Sequence, residues 1–214
     1  MLLGWKVRSQ SAMPRYIPGT GSLLQEKVVS SITARDLNEK QVKIDCANTG
    51  KPTILYVFAP DCRWCEANLN SIRTIARLRG GSYRFIGLSL SEDGLREYVD
   101  RSKFTFPVYK GLSQEAIIML GLGYTPQTII LSPEGKVLRN WIGAYEDALR
   151  PEVERYFGID LSDVSPRKGE ERQERSEGHC VYCTDGGVIY SPGAVIRKTT
   201  GDKHCRDDGR WTQL

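Results

Sequence analysis

The run Thr-Ile-Leu-Tyr-Val-Phe at 53–58, delivered straight into Ala-Pro-Asp-Cys-Arg-Trp-Cys at 59–65, constrains this chain more than any other feature. A run of apolar β-formers with no polar face reads as a strand covered on both sides, as strands in α/β sheets are. From residue 62 to 79, Leu69, Ile72, Ile75, Ala76 and Leu78 recur at helical spacing, and Gly80-Gly81 supplies the stop. A buried strand therefore hands over to a helix within a few residues, and Cys62 and Cys65 sit at the junction.

Two cysteines at that spacing and place suit thiol–disulfide exchange. Unpaired N–H groups and the helix dipole stabilise an anion at a helix N-terminus. They lower a thiol pKa from ~8.5 toward ~3.5–7.5, and the thiolate is the attacking form. Cys62 is expected to be that nucleophile, an exposed sulfur at the helix start. Cys65, about one turn later, is expected to attack the mixed disulfide and release the captured partner. Arg63 should favour the thiolate and Asp61 should oppose it. The two histidines, His179 and His204, lie outside residues 1–178, so this part of the chain has no Cys–His or Ser–His scheme. A structural zinc site needs four ligands, and Cys62 and Cys65 have no histidine beside them. No metal and no cofactor is expected.

The rest of the chain alternates in kind. "QVKIDC" (41–46) and "YRFIGLSL" (83–90) read as strands, and "SEDGLREYVDRS" (91–102) as a helix with a Ser start. "FPVYK" (106–110) reads as a short strand and "SQEAIIMLGLG" (113–123) as a helix closed by glycine. "QTIILS" (127–132) and "KVLRNWIG" (136–143), joined through "PEG", read as a hairpin, and "EDALRPEVERYFGI" (146–159) as a last helix. Such an order indicates an α/β domain with a mixed sheet. Composition divides the chain into a leader at 1–24, that domain at 25–160, a charged linker at 161–178 and a small Cys-rich β module at 179–214. With 40% hydrophobic and 26% charged residues a core can be buried. The net charge of +4 is too slight to suggest nucleic acid, and no basic cluster is interleaved with aromatics.

Strand, "DCRWC", helix and, later, "YTPQT" leading into a hairpin resemble the thioredoxin fold, a three-layer α/β/α sandwich. The segment "FIGLSLSEDGLREYVDRSKFTFPVYKG" and the hairpin "IILSPEGKVLRNWIGAY" resemble the TlpA/ResA-type thiol–disulfide oxidoreductases of bacterial envelopes. The likeness covers about residues 34–158. It implies that Cys62 and Cys65 form a redox-active disulfide, and that Pro126 follows Thr125 through a cis bond beside them, X–Pro being where cis bonds occur. It also implies that Trp64, Thr125 and Pro126 shape a substrate groove. The family's proton-handling glutamate falls on Glu92, whose other reading is support for the first turn of the next helix. Asp61 stands where relatives usually have Trp, and Arg63-Trp64 replaces a dipeptide that often ends in Pro. These residues tune redox potential, so the direction of electron flow stays open. A peroxiredoxin-like peroxidase shares the fold, but Ala59 stands where that family expects Thr or Ser. Cys46 reads as a buried strand residue, with a third redox thiol as the alternative.

The C-terminal "HCVYCTDGGVIYSPGAVIRKTTGDKHCRDDGRW" (179–211) resembles small extracellular disulfide modules of the von Willebrand C-like kind. The resemblance implies a Cys183–Cys205 bridge and leaves Cys180 odd; a bridge from Cys180 instead, or a zinc site using these cysteines and a histidine, are the alternatives. A domain below ~40 residues usually needs such a staple. A disulfide module implies an oxidising compartment, hence the periplasm or cell envelope. Against this, the N-terminal apolar run, Met1 to Trp5, falls short of the ~7–15 residues of an export signal. Two readings stay open: a cytoplasmic protein, or a start upstream of Met1 with "MLLGW" as the tail of a membrane tether. The expected function is thiol–disulfide exchange with protein thiols and disulfides, served by an unidentified electron donor or acceptor. The alternatives are the peroxidase and a thioredoxin-fold binding or scaffold protein holding a static disulfide.

Overall fold

The computed structural model describes residues 27–164 and, beyond them, 180–181, 183–185, 188–190, 195–196, 203–206 and 210–213. The expected leader (1–24), residues 165–178 of the expected linker, His179 and the "SPGA" of the module lie outside the described residues. The chain runs β1 (Ser31–Arg35), β2 (Gln41–Asp45), β3 (Thr53–Phe58), α1 (Arg63–Arg79), β4 (Arg84–Ser89), α2 (Leu95–Ser102) and β5 (Val108–Tyr109). It continues through α3 (Gln114–Leu120), β6 (Tyr124–Thr125), β7 (Gln127–Leu131), β8 (Val137–Ile142) and α4 (Leu149–Phe157). The later strands are β9 (Cys180–Val181), β10 (Cys183–Asp185), β11 (Val188–Tyr190), β12 (Val195–Ile196), β13 (Lys203–Cys205) and β14 (Trp211–Gln213).

Five strands form one mixed sheet in the order β5-β4-β3-β7-β8. The apolar run of β3 takes its centre, parallel to β4 and antiparallel to β7, and all six of its residues are buried. Side chains alternate across a strand, so β3 serves two cores. Ile54, Tyr56 and Phe58 face α1, α2 and α4, meeting Ile72, Ile75, Tyr98, Val153 and Phe157. Leu55 and Val57 face the other side, where Ala116 and Leu120 of α3 join Ile32, Ala34 and Ile44 of the β1–β2 hairpin. The result is the thioredoxin-like three-layer sandwich with a mixed sheet, one outer layer being part helix and part hairpin.

Two local details depart from the sequence reading. α2 begins at Leu95 rather than Ser91, because Gly94 takes a left-handed conformation as its N-cap and residues 91–94 are used in the turn. Leu161, assigned by composition to the linker, is 1% exposed and packs on the same core as α1. Its N–H donates to Glu154 Oε1 at 2.8 Å, and a short turn at Ser162–Val164 follows. Among the described residues, no helix is long and apolar enough to cross a membrane.

The C-terminal strands form small antiparallel sheets, β10-β11 and β12-β13-β14, stapled by a Cys183–Cys205 disulfide with Cα atoms 5.7 Å apart. β9 does not join them. It pairs antiparallel with β6, in the register Tyr124↔Val181 and Thr125↔Cys180.

Candidate functional site

The site follows from sheet register. β3 and β7 run antiparallel with Val57 opposite Gln127. The chain leaving β3 at Phe58 and the chain entering β7 through Thr125-Pro126 therefore meet at one end of the sheet. After Phe58 the backbone turns through Ala59–Asp61, and the Cys62 N–H donates to the Ala59 carbonyl at 3.3 Å. Cys62 is the N-cap of α1, still extended in conformation, with its carbonyl accepting from the N–H groups of Cys65 (3.0 Å) and Glu66 (3.2 Å). Across from it the Thr125-Pro126 peptide is cis. The Gly143 N–H donates to the Pro126 carbonyl at 2.8 Å, tying this turn to the end of β8. The Cys62 sulfur lies 3.4 Å from the Thr125 carbonyl oxygen.

Two expectations about the cysteines are corrected. Cys62 is not an exposed sulfur: it is 1% exposed and engaged in a disulfide. Cys65 is not its partner here, because Cys65 is a free, fully buried thiol. A sulfur holds one disulfide at a time, so the redox bridge between Cys62 and Cys65 is open in this state. Burial pushes the Cys65 thiol up to about 12; the Ala59 backbone and the Thr125 side chain ease that rise, and the Asp61 and Glu66 carboxylates add to it. Among the described residues, the Thr125 hydroxyl itself makes no hydrogen bond of ordinary geometry, so its influence on the thiol is that of a near but weakly engaged group.

Beneath Cys65 lies a layer of buried polar side chains that the sequence reading did not single out. Tyr56, Tyr98 and Tyr145 are buried, with phenols pushed above their usual range chiefly by desolvation. Asn68, one turn beyond Cys65, accepts at Oδ1 from the Tyr145 N–H (2.9 Å), and Tyr145 shares a 2.6 Å hydroxyl contact with Thr128. Among the described residues, the Tyr56 and Tyr98 hydroxyls find no hydrogen bond of ordinary geometry, although Asn68 and Ser102 ease them slightly. The available signals were a tyrosine inside an otherwise apolar strand and an asparagine on the apolar face of a helix.

The other expected residues divide. Trp64 is half-buried against the core, with the Arg63 guanidinium 5.0 Å from its ring centre, so Arg63 is drawn onto the indole. Thr125 is fully buried beside Cys62. Glu92 is not a buried group at the sulfurs. Its side chain is 42% exposed and forms ion pairs with Arg35 (2.5 Å) and Lys110 (3.0 Å), which also engage Glu39. The turn ahead of α2 carries it outward to those cations. Its backbone carbonyl accepts from the Leu95 N–H, while the N-cap is Gly94. Cys46 is buried at the end of β2, its thiol pushed up to about 11 by desolvation. Cys183 and Cys205 are spent in their disulfide and are not metal ligands in this structure. An open depression of about 500 Å³ lined by Arg139, Glu152, Arg155 and Tyr156 contains none of the junction residues.

The chain is similar to several solved structures. One is the thioredoxin domain of a thiol-disulfide oxidoreductase from Bacteroides vulgatus, at 21% identity and a TM-score of 0.50, over 64% of this chain and 99% of that one. A second is a thiol:disulfide interchange protein from Bacteroides sp., at 17% identity and 0.51, over 65% and 93%. A third is a hypothetical protein from Sinorhizobium meliloti, at 15% identity and 0.52, over 67% and 90%. Neither a family model nor a curated protein matches. At these identities the likeness establishes the thioredoxin-like fold.

Proposed function

We propose that this protein is a thiol–disulfide oxidoreductase that exchanges disulfides with protein substrates through Cys62 and Cys65. One observation carries the reading. Cys62, at the start of α1 and beside Thr125-Pro126, is engaged in a disulfide, while Cys65 one turn on remains a free thiol. That is the arrangement expected midway through exchange. The free Cys65 thiol counts against a scaffold whose CxxC pair is a static disulfide, and the peroxidase reading gains nothing from Ala59, which brings no hydroxyl.

In the reaction, the Cys62 thiolate attacks one sulfur of a substrate disulfide. A Cys62–substrate bond forms, the substrate's own S–S bond breaks, and its other sulfur leaves as a thiolate that takes up a proton. Cys65 then loses its proton and attacks the Cys62 sulfur. The Cys62–Cys65 bond forms and the substrate departs reduced by two electrons. The reverse sequence oxidises a dithiol. Regeneration needs an external dithiol or disulfide, and that partner sets the direction. Trp64, Thr125 and Pro126 wall the groove in which the substrate lies. Glu92, held by Arg35 and Lys110, is assigned no proton transfer. The working layout is a redox domain at 25–160, a charged linker and the module at 179–214. The Cys183–Cys205 bridge supports an extracytoplasmic, periplasmic or envelope setting.

Redox titration tests this. In glutathione buffers, mass-tag alkylation of the Cys180→Ser protein should show Cys62 and Cys65 titrating together as one two-electron couple, between about −270 and −120 mV. Independent titration of the two thiols would overturn the reading.

A further inference from the structure

Six cysteines are present in the chain. Cys183 and Cys205 are bonded to each other, Cys46 and Cys65 are free, and Cys62 is in a disulfide. Cys180 is the one not otherwise accounted for. Its backbone lies in β9, which leaves the other C-terminal strands and pairs antiparallel with β6, with Cys180 opposite Thr125. Thr125 is also the residue whose carbonyl oxygen is 3.4 Å from the Cys62 sulfur. Strand register and cysteine bookkeeping, two independent observations, lead to the same residue.

We propose that Cys180 is the disulfide partner of Cys62, and that the C-terminal module is a tethered, redox-released cap on the exchange site. The inference rests on the exchange chemistry proposed above and extends it. An extended segment adding its backbone to a short exposed strand is a general mode of peptide capture. Here the captured segment belongs to the chain itself. Release is an internal exchange. Cys65 gives up its proton and attacks the Cys62 sulfur, the Cys62–Cys65 bond forms, the Cys62–Cys180 bond breaks, and the Cys180 thiolate takes up a proton. One disulfide is lost and one gained, so no external oxidant or reductant is consumed. Capped, Cys62 is masked from substrates; released, the CxxC pair is oxidised and open. The depth of Cys65 makes release slow, because the attacking thiolate is scarce at neutral pH while its pKa stands near 12.

The same geometry defines what the groove accepts from outside: an extended segment with a cysteine opposite Thr125. A tether holds the internal segment at an effective concentration on the order of mM, so a substrate supplied at ~0.1 mM is outcompeted roughly tenfold.

The test uses the full chain. Peptide mapping after acid quenching and alkylation should find a Cys62–Cys180 linked pair in the wild type. In Cys65→Ser, which lacks the resolving thiol, that link should become nearly quantitative. Cys180→Ser should shift the oxidised protein to Cys62–Cys65 and raise its initial rate of oxidising a model peptide dithiol about tenfold at ~0.1 mM substrate. A Cys65→Ser protein whose Cys62 is alkylated without prior reduction would overturn the cap, as would an unchanged rate in Cys180→Ser. In either case, a Cys180→Ser protein that still exchanges disulfides leaves the oxidoreductase reading standing. A linked Cys62–Cys180 pair in a protein that exchanges with no external disulfide, with or without Cys180, would instead sink the oxidoreductase reading while the link survives.

Discussion

At the scale of single residues, burial of two thiols has consequences that can be measured. Cys46 and Cys65 are fully buried and hold their protons to about 11 and about 12. A thiol whose folded pKa exceeds its unfolded value of ~8.5 contributes stability that is intact below that value and is lost as pH rises toward the folded one. Between about pH 8.5 and 11 each such thiol should cost about 1.4 kcal/mol of stability per pH unit. Cys46 packs in the other core from Cys62 and Cys65, so Cys46→Ala isolates this effect: urea midpoints across that range should fall less steeply than in the wild type by about that amount. Tyr56→Phe removes a buried hydroxyl that makes no good hydrogen bond. Its unfolding midpoint should stay level or rise, since an orphaned polar group costs about 1–3 kcal/mol to bury. A fall of that size would mean the hydroxyl has a partner after all.

At the scale of elements, the junction depends on the hairpin that presents Pro126 to Cys62. Its turn uses Gly135 at φ +84°, where a Cβ would sit 2.3 Å from the Val29 carbonyl oxygen. Gly135→Ala should therefore destabilise the fold by about 1–3 kcal/mol, read as a lower denaturation midpoint with unaltered exchange chemistry. Ser113 caps α3 by accepting from the Ala116 N–H, and Ser113→Ala should cost about 1 kcal/mol by the same measurement. β3 was legible because six β-forming residues without a polar face leave no other reading. The hairpin β7–β8 was legible because "PEG" separates two such runs. β1 was not read, since only Ile32 and Ala34 mark it as half-buried. The start of α2 was misplaced because Ser91 and its acidic neighbours imitate a capping signal, while Gly94 ends the turn in a conformation that spacing alone does not reveal.

At the scale of the whole molecule, the placement of Cys62 beside a cis Thr125-Pro126 bond was legible because the strand–CxxC–helix and Thr-Pro-hairpin patterns resemble a known arrangement. The surroundings of Glu92 were not legible because its partners, Arg35 and Lys110, come from separate segments of the chain. The pairing of β6 with β9 brings together residues more than fifty positions apart, and two-residue strands leave no periodicity to read. The module's own staple closes a loop of sequence separation 22. The Cys183→Ala/Cys205→Ala double variant should lose about 3 kcal/mol of stability locally, seen as faster proteolysis confined to the C-terminal segment. The central claim, that Cys62 is the attacking sulfur and Cys65 the resolving one, is tested most directly by trapping. Reduced Cys65→Ser/Cys180→Ser protein, mixed with a peptide disulfide, should accumulate a covalent adduct mapped to Cys62 and reversed by dithiothreitol. Absence of that adduct, or its equal formation in Cys62→Ser/Cys180→Ser, would contradict the account.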